Sequence, residues 1–206
     1  MDSDSERGYA LAQAAKRLAA RVGVVREACG IAAYRTSRWA EALAELRAAR
    51  RMTGRDEYLP IMADCERALG RLDRALALVR EANVEGLNRA MQVELRIVES
   101  GIRRDQGLGD AAVLVLQVPE LTSGRLRPWS ARLFYAYADA LLAAGRADEA
   151  RDAFARAATA DTRGETDAAD RLDEMDGVEF EDLAAVDDLE DDDDLEDLEV
   201  EETPGP

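Results

Sequence analysis

Side chains that could carry proton-transfer chemistry are scarce, because histidine is absent from the 206 residues. Its absence removes the commonest general base, the usual partner of a serine or cysteine nucleophile and the usual zinc ligand. Cys29 and Cys65 are the two cysteines, too few for a disulfide framework and without the paired spacing of a metal site. Cys29 stands beside Gly30 on a helical face expected to pack, which suits a structural thiol better than a reactive one. Gly107-Leu-Gly109 has no preceding strand and lacks the further glycines of a phosphate or dinucleotide loop, so a helix-to-helix turn explains it. The run Asp187 to Asp194 could attract divalent cations, but it lacks the glycine and terminal glutamate of a calcium loop and reads as a solvating polyanion. No catalytic residue, cofactor site or metal site is expected, and the chain reads as a non-enzyme.

What remains for recognition is charge, and it is spread unevenly. The formal net charge is −17, yet 16 of the 44 acidic residues and none of the basic ones lie from Asp176 to Pro206. The preceding body is close to neutral, so the low pI describes the tail and not a folded surface. Phe180, Leu183 and Leu189 are interspersed among the tail's carboxylates, a mixture that suits a segment docking on basic surfaces. In the other direction, Lys16 to Arg55 carries ten basic residues against Glu27, Glu41 and Glu45. Arg47, Arg50 and Arg51 read first as a solvated helix face and second as a dock for the chain's own tail. Nucleic-acid contact comes third, because a polyanion on the same chain would compete with phosphates for those arginines.

The elements that position these groups are legible in the composition and the spacing. Apolar residues make up 47% and aromatics 5%, alanine is abundant, and β-branched residues are sparse, so the expected class is all-α. The acidic start and the lack of an apolar run of about 18 residues argue against secretion and membrane insertion, leaving a cytoplasmic protein. Internal similarity then appears. Ser37-Arg-Trp39, Gly70-Arg-Leu72 and Gly145-Arg-Ala147 each open a stretch with apolar or small residues at +2, +5, +9 and +12, one face of a helix. A small residue, Gly30, Ala63 or Ala138, lies seven positions before each turn. A weaker copy has Gly107 as its turn, with Ala112 and Leu116 on the packed face. The key alanines Ala42, Ala75, Ala112 and Ala150 are separated by 33, 37 and 38 residues. The longer steps imply extra loop residues near Ala82 to Asn88 and Pro119 to Pro128.

This pattern resembles the tetratricopeptide repeat family, whose consensus has small residues at unit positions 8 and 20 and an apolar or aromatic one at 24. Here those are Gly30, Ala42 and Leu46; Ala63, Ala75 and Val79; Ser100, Ala112 and Leu116; Ala138, Ala150 and Phe154. Val25-Arg-Glu-Ala-Cys-Gly-Ile-Ala-Ala-Tyr34 and Thr166-Asp-Ala-Ala-Asp-Arg-Leu172 also resemble an actinobacterial group of such proteins. The resemblance implies an α-solenoid of stacked antiparallel helix pairs, about eight or nine helices in all, with a disordered acidic C-terminal tail. The expected division is a disordered 1–6 and a repeat domain over 7–176, followed by a disordered tail over 177–206. Within the repeat domain a half repeat covers 7–22, repeats cover about 23–55, 56–87, 88–127 and 128–163, and a capping helix covers 165–176. Leu11, Ala15, Leu18 and Val22 form a stripe on the half repeat, which fits a homodimer contact or a missing N-terminal segment.

The resemblance also implies a concave groove lined by the first helix of each unit, near unit positions 2, 5, 9, 12 and 13. Carried over residue by residue, the partner-binding positions are Tyr34, Arg35, Arg67, Arg104, Arg132 and Tyr135. Such a groove suits a protein or peptide with acidic or C-terminal carboxylate character, arginine supplying bidentate contacts and tyrosine rigid apolar area. The chaperone-tail clamp of some relatives needs Lys and Asn where this chain has Glu27 and Ile31, so that ligand is not expected. The expected function is a non-catalytic scaffold or adaptor. The alternatives are a nucleic-acid-associated or ribosome-assembly factor with a phosphate-mimicking tail and, more remotely, a regulatory subunit of a separate enzyme.

Overall fold

The computed structural model describes residues 3–82 and 84–177. Ten α-helices follow one another: α1 (Ser3–Ala19), α2 (Gly23–Arg35), α3 (Trp39–Thr53), α4 (Leu59–Ala68), α5 (Leu72–Glu81), α6 (Arg89–Asp105), α7 (Gly109–Val115), α8 (Ser130–Ala143), α9 (Ala147–Ala160) and α10 (Ala168–Asp176). No strand is present among the described residues. The class is all-α, with ten helices among the described residues where about eight or nine were expected. Short 3-10 turns, Val84–Gly86 and Pro119–Leu121, occupy the two places where the repeat spacing lengthens. The first helix starts at Ser3, inside the 1–6 stretch that the sequence assigns to a disordered N-terminus. The expected disordered tail over 177–206 lies outside the described residues except for Gly177.

Adjacent helices pack as pairs, α2 with α3, α4 with α5, α6 with α7 and α8 with α9. The turn inside each pair has one backbone geometry, repeated four times. Ser37, Gly70, Gly107 and Gly145 sit at φ of 57°, 72°, 75° and 74°. The next residue, Arg38, Arg71, Leu108 or Arg146, returns its N–H to a carbonyl five residues back, at 2.8 to 2.9 Å. This is the Schellman closure, which satisfies the last carbonyls of the first helix and aims the chain into the second. Glycine enters the left-handed region without the Cβ clash, and Ser37 is the one non-glycine in it among the described residues.

Small residues set the distance between the helices of a pair. Ala42, Ala75, Ala112 and Ala150 are all fully buried. A Cβ added to Gly30 would lie 2.6 Å from the Leu46 side chain, and Ser100 donates its hydroxyl to the Ala112 carbonyl at 3.0 Å. Two of the first helices also pack on the first helix of the following pair, α4 on α6 and α6 on α8, while α4 meets the preceding pair through α3. The core is accordingly a chain of clusters, around Leu46 and Met62, then Leu76 and Ile102, then Leu116, Leu133 and Phe154. Helix α10 closes one end over α9, burying Ala168. At the other end none of α1's residues is buried, and Leu11 and Leu18 are 64% and 91% exposed.

Candidate functional site

The first helices α2, α4, α6 and α8, together with the segment from Gly164 into α10, line a groove of about 1070 Å³. Tyr34 and Arg35 reach it from α2, Arg67 from α4, Arg104 from α6, and Arg132 and Tyr135 from α8. All six residues singled out in the sequence therefore share one groove wall. Between them lie apolar side chains, Ile31, Pro60, Ile61, Met91 and Ile97, so the surface offers both contact area and charge.

The polar groups of the wall tie each first helix to the next. Tyr34 donates its hydroxyl to Asp64 of α4 at 2.5 Å. Arg67 bonds Asp64 at 2.8 Å and reaches Asp105, at the end of α6, at 3.0 Å. From α6, Arg104 meets Asp139 of α8 at 2.7 Å, and Glu94 receives Arg132 of α8 at 2.9 Å. Tyr135 accepts from Arg171 of α10 at 3.5 Å, and Arg171 approaches Asp139 at 3.7 Å. Arg35 forms no ion pair among the described residues.

These contacts set the protonation of the wall. Burial, reinforced by Asp64, pushes the Tyr34 phenol well above its ordinary value. Burial, with the carboxylates of Asp167 and Asp139 nearby, pushes Tyr135 to about 12. Both phenols stay neutral donors at physiological pH. Glu94 moves up as well, first through burial and then through the neighbouring Asp64 and Glu165, with Arg132 opposing. The two thiols take no part: Cys29 and Cys65 are fully buried, Cys29 donates to the Ala12 carbonyl at 3.1 Å, and burial pushes Cys65 to about 12.

Sequence reasoning named the arginines and tyrosines and passed over their partners. The signal was there: the positions that select Arg67, Arg104 and Arg132 also select Glu57 and Asp64, Glu94 and Asp105, and Asp139. The basic stretch behaves in the same way. Arg47 pairs with Glu66 at 2.6 Å, Arg50 with Asp56 and Glu81 at 2.8 Å each, and Lys16 and Arg26 both meet Glu45. Of the arginines expected on a solvated face, Arg47 and Arg51 are exposed and Arg50 is half-buried, and Arg47 and Arg50 also form pairs between helices.

No helix among the described residues is long and apolar enough to cross a membrane. The chain matches no protein-family model. No curated protein matches it either.

Proposed function

We propose that the chain is a non-catalytic scaffold or adaptor of the tetratricopeptide type, which holds a protein or peptide in the groove formed by α2, α4, α6 and α8. The observation that carries this reading is the gathering of Tyr34, Arg35, Arg67, Arg104, Arg132 and Tyr135 on one wall of about 1070 Å³, interleaved with apolar residues. Grooves that combine apolar area with a few fixed polar groups are the usual form of a peptide site. The four identical turns and the buried alanines at matching places support the repeat register. In this reading the chain works in the cytoplasm, and the segment beyond Asp176 contributes negative charge.

Association with nucleic acid is the weaker reading, because Lys16, Arg26, Arg47 and Arg50 are already neutralised by carboxylates of the same body. The test is a peptide library screened against the full chain and against Ile97→Trp, which fills the middle of the groove. Peptides retained by the first and lost by the second, with thermal melts of both proteins recorded, bear the reading out. Binding that ignores Ile97→Trp sinks it.

A further inference from the structure

We infer that the groove recognises a cationic segment, a stretch of chain with arginine or lysine set among apolar residues, rather than the acidic segment its arginines suggest. The inference rests on the groove being the binding site and names the chemistry of its occupant.

Charge balance is the first ground. Seven carboxylates line the groove against four guanidinium groups. Three of those four, Arg67, Arg104 and Arg132, already hold carboxylates of the same chain at 2.7 to 3.0 Å. Apart from Arg35 at one end, a ligand carboxylate would have to break these pairs or approach a wall of net negative charge, so most of the arginines are spent on joining the helices. A ligand cation meets acceptors that are still available. Asp170 has no ion pair among the described residues, and Glu165 has only a loose one, to exposed Arg163 at 3.5 Å.

The state of Glu94 is the second ground. It sits deep on α6, with its side chain 20% exposed, paired to a single arginine while Asp64 and Glu165 press on it. An incoming guanidinium or ammonium group between Glu94 and Glu165 would relieve that repulsion in a partly desolvated place, where a charge pair counts for more than at the rim. The carboxylates are spread along the groove and do not converge. Among the described residues no three potential ligands are placed to hold a metal ion, so the fitting cation is a distributed one. Ile61, Met91 and Ile97 supply the apolar contact that a peptide brings and a free ion does not.

With 16 acidic residues from Asp176 onward, the tail carries the same sign as the groove and would deepen the negative field that draws a cationic partner inward.

The experiment uses the full chain and two labelled peptides, one with arginines spaced among leucines and one with glutamates in the same places. The arginine peptide is expected to bind, to weaken as salt rises, and to lose about tenfold in affinity in Glu94→Gln combined with Glu165→Gln. The tail is unchanged in that variant, so retained affinity would mean that the tail alone holds the peptide, and would overturn the inference. If the melt shows that Glu94→Gln does not fold, Glu165→Gln with Asp170→Asn at the rim gives the same reading. Tighter binding of the glutamate peptide, lost in Ile97→Trp, would overturn the cationic ligand and leave the groove standing. Indifference of both peptides to Ile97→Trp would remove the groove as well.

Discussion

The carboxylate of Glu66, with no exposure to solvent, lies 2.6 Å from the guanidinium of Arg47, across the junction of α4 with α3. Arg71 adds a second contact at 3.4 Å. A buried carboxylate is tolerated only while such partners remain. Arg47→Met is expected to cost about 2 kcal/mol, less than loss of a wholly buried pair because Arg47 is 43% exposed. Urea denaturation of the two proteins measures it, and equal midpoints would contradict the pair's importance.

Ser37 holds the left-handed turn position that Gly70, Gly107 and Gly145 hold in the other pairs. Ser37→Gly is expected to stabilise the protein by about 0.5 to 1 kcal/mol, since the strain of a Cβ there exceeds the extra entropy of glycine in the unfolded chain. Gly70→Ala, with open space around its Cβ but a φ of +72°, should cost about 1 kcal/mol. Thermal melts in which both changes move the midpoint in the same direction would refute this.

Ala150 is fully buried where α9 meets α8. Ala150→Leu should cost about 1 to 3 kcal/mol by overpacking. Gly109 is tighter still, because an added Cβ would run into the Ala143 carbonyl at the end of α8. By contrast, Gly8→Ala, in α1 with nothing near its Cβ, should gain about 0.5 to 1 kcal/mol from helix propensity. Chemical denaturation of the three variants checks the order.

Asp161 fixes the segment that brings Glu165 and Asp167 to the groove. Its carboxylate accepts from the Glu165 amide at 2.9 Å and from the Thr166 amide and hydroxyl at 2.7 Å each. These bonds, the Glu165 amide foremost, hold its carboxyl down at about 2. A value depressed on folding stabilises the folded form above the ordinary carboxylate range of about 4. That contribution is lost as pH falls from there towards about 2. Amide exchange at Thr166 should accelerate in this window, and Asp161→Asn should raise the exchange already at neutral pH and remove its dependence on acid. A Thr166 amide indifferent to both would show that the carboxylate does not hold the loop.

The turns and close contacts were readable in the sequence because they depend on local residue types: glycine at 70, 107 and 145, and small residues seven before them. Even Ser37 could be placed, by register with the glycines. The positions lining the groove came from the resemblance to tetratricopeptide units, carried over on that register. What could not be read was their electrostatic state. Tyr34 finds Asp64, Arg67 finds Asp105 and Arg132 finds Glu94 one unit away, 30, 38 and 38 residues apart in the chain. Whether such residues meet depends on rotamers and on the offset between neighbouring helix pairs, which a local period does not encode. The burial of Glu45 and Glu66 was hidden for the same reason.

Because strong contacts reach no further than the next helix or the next but one, folding has no distant ends to bring together. A chain of this kind has low contact order and can grow outward from any well-packed pair. Its ends should then open first. Helix α1 contacts α2 and is fastened by polar links, Tyr9 and Gln13 to Glu41, Lys16 to Glu45 and Arg38 to Glu6. Without a buried residue of its own, it should detach as a separate unit of low local stability, and native-state exchange should rank α1 far below α8.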